Sequence, residues 1–158
     1  MIAAVFHFES QDIDAWSGRD IDLDVWRYNT KMFGLDTLII IDQVPGGTPY
    51  LHLDEEQKFE RFTSIDEFLH AYPQGEKIWF ETPWSFPSSV TPIKLVDFKH
   101  PSNSKDVFYI FGPGNGFTIS ENDTRTWVTI PQLTLGATHS SFLAPIVFYD
   151  RAQKLGII

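Results

Sequence analysis

Short hydrophobic runs alternating with amphipathic stretches predict an α/β fold, a mostly parallel sheet with helices on both faces. Three observations carry this. "LDTLIIID" (35–42) is an unbroken apolar run of strand length, the pattern of a strand covered on both faces, as in a parallel sheet. "VWRYNTKMF" (25–33) places Trp26, Thr30 and Phe33 at helical spacing ahead of Gly34, and a glycine just past a helix is a stop signal. Five more β-favouring runs are spread along the chain, and strands alternating with helices build parallel sheets.

The elements follow in order. "AAVFHF" (3–8) reads as a first strand, "SGRDIDLD" (17–24) as a polar connection, 25–33 as a helix and 35–42 as a strand. After the loop "QVPGGTPY", "FTSIDEFLHAY" (62–72) has Ser64 followed by Glu67, the capping-box spacing that opens a short helix. "KIWFE" (77–81) is a strand and "TPWSFPSSVTP" a proline-broken loop without helical period. "KLVDF" (94–98), "VFYIFG" (107–112) and "TWVTI" (126–130) read as strands, with the loop "PQLTLGATHS" after the last. The stretch "SFLAPIVFYDRAQKLG" places Phe142, Ile146 and Tyr149 at helical spacing, with Pro145 expected to kink that helix or mark its first turn.

Length and composition narrow the function. A chain of 158 residues with 42% hydrophobic and 15% aromatic content fits one folded domain with a sizeable core. Twelve basic against twenty-one acidic residues give a net charge of −9, which argues against unaided binding to nucleic acid. Without cysteine there is no disulfide, thiolate metal site or Cys nucleophile. No run approaches the ~18 apolar residues of a membrane span, and "MIAAVFHFES" lacks a basic n-region. A cytoplasmic protein with a small-molecule ligand is the expectation.

The most pointed local feature is "YIFGPGNGF" (109–117), three glycines directly after a strand. A P-loop needs Lys and then Ser or Thr after its glycines, whereas Phe117 and Thr118 follow Gly116. The dinucleotide fingerprint needs two residues between its second and third glycines, and here only Asn115 stands there. A plain hairpin turn over "PGNG" is the local alternative.

Beyond the loop, "WVTIPQLTLGATHSSFLAPIVFYDRAQKLG" completes a pattern. With "VFYIFGPGNGF" it resembles the SPOUT superfamily of methyltransferases, and within it the SpoU-type RNA ribose 2′-O-methyltransferases. The matching elements are a strand ending in a Gly-rich loop, a strand ending in Ile130-Pro131, the stretch 137–141, and a C-terminal helix with "VFYD" (147–150). "VWRYNTKMFGLDTLIIID" is similar to the family's first motif and "KIWFETP" to its central strand.

The resemblance implies a deep C-terminal trefoil knot, a homodimer whose partner subunit completes the site, and three loops (81–84, 112–116, 130–139) that hold S-adenosylmethionine. Glu81, Thr82 and Pro83 come from the first loop, and Phe111, Gly112, Pro113, Gly114, Asn115 and Gly116 from the second. The third supplies Ile130, Pro131, Gln132, Leu135 and Ala137, with Ser140 just beyond it. Glycines would let the backbone approach the ligand closely. Phe and Trp would suit the dimer surface.

The chain also departs from the family. Gly112-Pro113-Gly114-Asn115-Gly116 lacks the motif glutamate, His139 stands where an asparagine is expected, and Gln132 replaces a methionine. Phe33 stands six positions after Arg27 where five are usual, and Asp20 or Asp22 stands in place of an upstream asparagine. Arg27 is the first candidate for the substrate side, with His139 second. Their bland alternatives are a surface salt bridge of Arg27 with Asp24 or Asp20 and a loop histidine bonded to backbone. Asp20, Asp22 and Asp24 have the outline of a calcium loop, but Val25 stands at the sixth position and Lys31 at the twelfth, where glycine and glutamate are needed. His7, His52, His70, His100 and His139 lack metal-ligand spacing, so no metal is expected. Lys94, Lys99, His100 and Lys105 form a basic cluster best read as solvated. The expected function is S-adenosylmethionine-dependent RNA methylation, with a catalytically degenerate RNA- or protein-binding dimer as the alternative.

Overall fold

The isoleucine run forms the strand it predicts: β2 (Thr37–Asp42) is buried at every residue. The computed structural model describes residues 1–8, 21–42, 58–102, 105–113, 116–131 and 140–158. Around β2 stand β1 (Ile2–Phe8), α1 (Ile21–Met32), β3 (Lys58–Phe62), α2 (Ile65–Ala71), β4 (Glu76–Phe80), β5 (Ile93–Lys94), β6 (Val107–Phe111), β7 (Thr126–Thr129) and α3 (Ser140–Lys154). The strands form one seven-stranded sheet in the order β3-β2-β1-β6-β4-β7-β5. Every described pair is parallel, from Ala3 opposite Thr37 in β1 and β2 to Ile93 opposite Val128 in β5 and β7.

The expected layers are present. α1 and α3 lie side by side on one face, where Trp26, Val147 and Phe148 pack on Phe6, Phe80, Tyr109 and Phe111. Trp26 stacks on Phe6 at 4.7 Å and Phe80 on Phe111 at 4.8 Å between ring centroids, offset contacts that add to the value of the buried area. On the other face Phe68 of α2 joins Val5, Ile39, Trp79, Phe108 and Trp127. The Ser64 hydroxyl caps α2 by accepting from the Glu67 N–H, while the Glu67 carboxylate accepts from the Thr63 N–H and hydroxyl. The capping spacing is realised one residue wider than its simplest form.

Several expectations need correction. Residues 94–98 are not a strand: β5 ends at Lys94, and Leu95–Asp97 turn as a 3₁₀ helix that buries Leu95. β3 was not expected, and it takes Phe62, which the sequence pattern assigns to a helix. α1 begins at Ile21, inside the predicted polar connection. That places Asp22 and Asp24 on a helix and removes the calcium-loop outline. A 3₁₀ turn, Pro83–Ser85, interrupts the predicted loop after β4. α3 continues through Pro145. The hairpin alternative for "PGNG" fails because β6 pairs in parallel with both neighbours. No helix among the described residues is long and apolar enough to cross a membrane.

Candidate functional site

A parallel sheet gathers the carboxyl ends of its strands on one edge, where open α/β sheets bind ligands. At that edge β4 runs into Glu81, β6 into the glycine loop and β7 into Ile130. Between them opens a shallow cleft, continuous with solvent, lined by Phe80, Glu81, Thr82, Pro83, Val128, Thr129, Ile130, Leu143 and Val147. Its walls are mainly apolar, with polar groups at the strand ends, the usual make-up of a small-molecule pocket. The Thr129 hydroxyl is buried and has no hydrogen-bond partner among the described residues.

Glu81 organises the glycine loop. Its Oε1 accepts from the Phe117 N–H at 2.6 Å, and its Oε2 accepts from the Thr82 N–H at 3.0 Å and the Ser85 hydroxyl at 3.3 Å. A Cβ on Gly112 would lie 3.0 Å from Oε1 and 2.9 Å from the Phe117 ring, and one on Gly116 3.1 Å from Oε1. Gly116 also has φ +81°, backbone that side chains disfavour. The space at these two glycines is therefore filled by the chain's own carboxylate and ring. The Gly116 N–H donates to the Pro113 carbonyl at 2.8 Å. The Ser140 hydroxyl donates to the Gly112 carbonyl at 2.9 Å, fastening the start of α3 to the loop.

Glu81, Thr82, Pro83 and Ile130 line the cleft as expected. Gly112, Pro113, Gly116 and Ser140 belong to the loop network beside it. Phe111 places its ring in the core between Trp26, Phe80 and Phe148, leaving its carbonyl to accept from His7 Nδ1 at 2.9 Å. Pro131 does not line the cleft. Arg27 stands on α1, apart from the cleft wall, with its guanidinium 5.1 Å from the Tyr28 ring centroid. Gly114, Asn115, Gln132, Leu135, Ala137 and His139 lie outside the described residues, as does Asp20.

The cleft residues not anticipated are Phe80, Val128, Thr129, Leu143 and Val147, together with Ser85 and Phe117 around Glu81. The strand ends were legible, and Thr129 could have been found by continuing β7 one residue past its apolar centre. The partnership of Glu81 with Phe117 spans 36 positions and left no local sign.

Comparison of the whole fold with solved structures returns consistent neighbours. An RNA methyltransferase candidate from Bacillus anthracis superposes with TM-score 0.68 at 16% identity, covering 99% of this chain and 95% of that one. A protein studied for 2-OH methylation of C/U34 on tRNA gives TM-score 0.65 at 15% identity, over 98% and 91%. An AdoMet-bound rRNA methyltransferase from Sinorhizobium meliloti gives TM-score 0.60 at 10% identity, over 98% of this chain and 56% of that one. The chain has the fold of RNA methyltransferases. No protein-family model and no curated protein sequence matches it.

Proposed function

We propose that the protein is a SPOUT-type, S-adenosylmethionine-dependent RNA methyltransferase acting on a ribose 2′-hydroxyl, knotted at its C-terminus and working as a homodimer in the cytoplasm. The observation that carries this is the cleft at the carboxyl ends of β4 and β7, beside the glycine loop, in a fold shared with RNA methyltransferases. Its residues suit an adenosine-bearing ligand. Phe80, Val128, Leu143 and Val147 offer apolar surface, Thr129 offers an unpartnered hydroxyl, and the strand ends present backbone polar groups. One neighbour binds the same cofactor.

When bound, S-adenosylmethionine supplies an electrophilic methyl group for in-line attack by the ribose oxygen. The chain's own task is to align the hydroxyl and help remove its proton. Arg27 is the proposed substrate-side residue and His139 the second, with Gln132, Leu135 and Ala137 completing the cofactor loop. Since Arg27 is not on the cleft wall, a second subunit is the natural way to bring it to a site.

Exposed apolar side chains support that reading. Phe142, Ile146 and Tyr149 form an exposed stripe on α3, next to exposed Tyr28 and Met32 on α1. The expected Trp-rich surface needs revision here. Trp26, Trp79 and Trp127 are buried and only Trp84 is exposed among the described tryptophans, so the apolar face is one of Phe, Ile, Tyr and Met. With a net charge of −9, RNA would be held by local groups rather than by a general basic field.

The test is a thermal shift with S-adenosylmethionine and with S-adenosylhomocysteine, followed by transfer of labelled methyl to RNA. Ligand at ~100 times its dissociation constant stabilises a fold by about 2.7 kcal/mol, a shift of several degrees. Stabilisation followed by RNA labelling upholds the reading. Stabilisation without labelling of any RNA favours the binding-module alternative, and no stabilisation by either ligand rejects the cofactor.

A further inference from the structure

Beyond β4 the chain passes along the cleft wall at Thr82 and Pro83 and turns over the end of the sheet. It joins the core on the other face at Phe86, whose ring meets Trp127 at 5.6 Å. The turn between is held at both ends. Pro83 opens it with a fixed φ. The Ser85 N–H donates to the Thr82 carbonyl at 3.0 Å, and the hydroxyls of Thr82 and Ser85 bond at 2.7 Å. Glu81 Oε2 accepts from the Thr82 N–H and from the Ser85 hydroxyl. Within this turn stands Trp84, 56% exposed. Trp26, Trp79 and Trp127 are buried against other rings, whereas Trp84 has no ring neighbour among the described residues. A single exposed apolar side chain is ordinary on a protein surface. This one is a large flat ring on a fixed backbone, one residue beyond the cleft wall.

We propose that Trp84 is a stacking platform for an unpaired nucleobase of the RNA, and so a positioning residue for the nucleotide whose ribose is presented at the cleft. This rests on the RNA methyltransferase reading above. A ribose that reaches a cofactor in the cleft brings its own base, or that of the next nucleotide, to the rim. In a duplex those bases stack on one another, so a protein ring takes one only from a loop, a bulge or a single strand. Charge points the same way. Twelve basic against twenty-one acidic residues leave little of the phosphate attraction on which basic RNA-binding proteins draw. Stacking uses the π-face that every base has and needs no positive field. A turn already fixed by its own hydrogen bonds also spares the cost of ordering a loop around the substrate. The ring holds the nucleotide and takes no part in moving the proton.

The test is fluorescence anisotropy with a labelled, mixed-sequence single-stranded oligoribonucleotide and with the same RNA annealed into a duplex. It compares the native chain, Trp84→Phe and Trp84→Ala, and isothermal titration with S-adenosylhomocysteine follows the cofactor separately. Trp84→Ala should bind the single strand about tenfold to a hundredfold more weakly, the scale of one base–aromatic stack. Trp84→Phe should keep most of the affinity. The ratio of native to Trp84→Ala should be the same at low and high salt, because stacking is not a screened interaction. Cofactor affinity, sedimentation and urea midpoint should not move, since the ring is exposed. If Trp84→Ala fails to fold, Trp84→Leu, which keeps apolar bulk without a π-face, carries the same comparison. Equal single-strand affinity in the native chain and the Ala variant overturns the proposal and leaves the RNA reading intact. Native preference for the duplex overturns it as well. Loss of cofactor affinity in the variant assigns the ring to the cofactor, and altered sedimentation assigns it to a contact between copies; either result overturns it. Failure of the native chain to bind the single strand and the duplex overturns this proposal and the RNA reading together.

Discussion

At Gly112 and Gly116 the requirement for glycine comes from two different sources, which makes the two positions separable by substitution. Gly116→Ala places a Cβ in left-handed backbone and is expected to cost about 1 kcal/mol. Gly112→Ala has ordinary φ, but its methyl would press on both the Phe117 ring and the Glu81 carboxylate, and it should cost more. Urea unfolding of the pair checks the order. Thr129→Val is expected to leave the free protein as stable or more so, because it removes a buried hydroxyl without a partner while keeping the shape. The same variant should weaken cofactor binding, and a titration that shows no change would remove Thr129 from the site. Glu81, Thr82, Pro83 and Ile130 could be read from the sequence because they follow strands directly. Ser85 and Phe117 could not, because their roles arise from contacts that only the closed sheet creates.

Among the elements, α1 was legible because Trp26 and Thr30 recur at helical spacing and face the core, whereas the spacing that marked α3, Phe142, Ile146 and Tyr149, lies on its exposed face. β3 and β5 were not legible. "KFERF" interleaves charges with aromatics and sits at the sheet edge, partly exposed, so it lacks the continuous apolar run that marks the central strands. "KLVDF" has that run, yet Leu95 reaches the core from a 3₁₀ turn rather than from a strand. Trp26 fixes α1 to the sheet through Phe6 and Phe111, and Trp26→Ala should destabilise by about 3–5 kcal/mol in denaturant unfolding. If the proposed dimer forms through the exposed stripe of α3, Phe142→Glu should leave the fold intact and turn a native dimer into a monomer in sedimentation, whereas a monomeric native chain rejects the dimer and an unchanged dimer moves the interface elsewhere.

Across the whole molecule one buried polar chain ties the C-terminal helix to the sheet. His100 joins the Tyr109 hydroxyl through Nδ1 and the Asp150 carboxylate through Nε2, each at 2.9 Å. Because the Asp150 carboxylate can only accept, Nε2 carries the proton and Nδ1 accepts from Tyr109. Burial lowers the His100 pKa, and the neighbouring Asp150 only partly offsets this. The unfolded chain therefore binds this proton more readily than the folded one. The stabilisation is complete above the ordinary histidine value of about 6.5 and declines as pH falls below it. Urea midpoints measured from pH 7.5 to 5.5 should fall in the native chain and fall less in His100→Gln. None of this was visible in the sequence, where His100 reads as part of a solvated basic cluster; its burial depends on Tyr109 and Asp150 meeting from distant segments.

The strand order has a consequence for how the molecule is made. β6 lies between β1 and β4, and β7 between β4 and β5, so the later strands enter gaps left by earlier ones. While a ribosome has released only the first hundred residues, β1 and β4 have no common neighbour, and the backbone edges they turn toward β6 have no hydrogen-bonding strand. The nascent chain must carry two open sheet edges until residues 107–111 emerge to join them, the state in which a growing polypeptide most needs a chaperone.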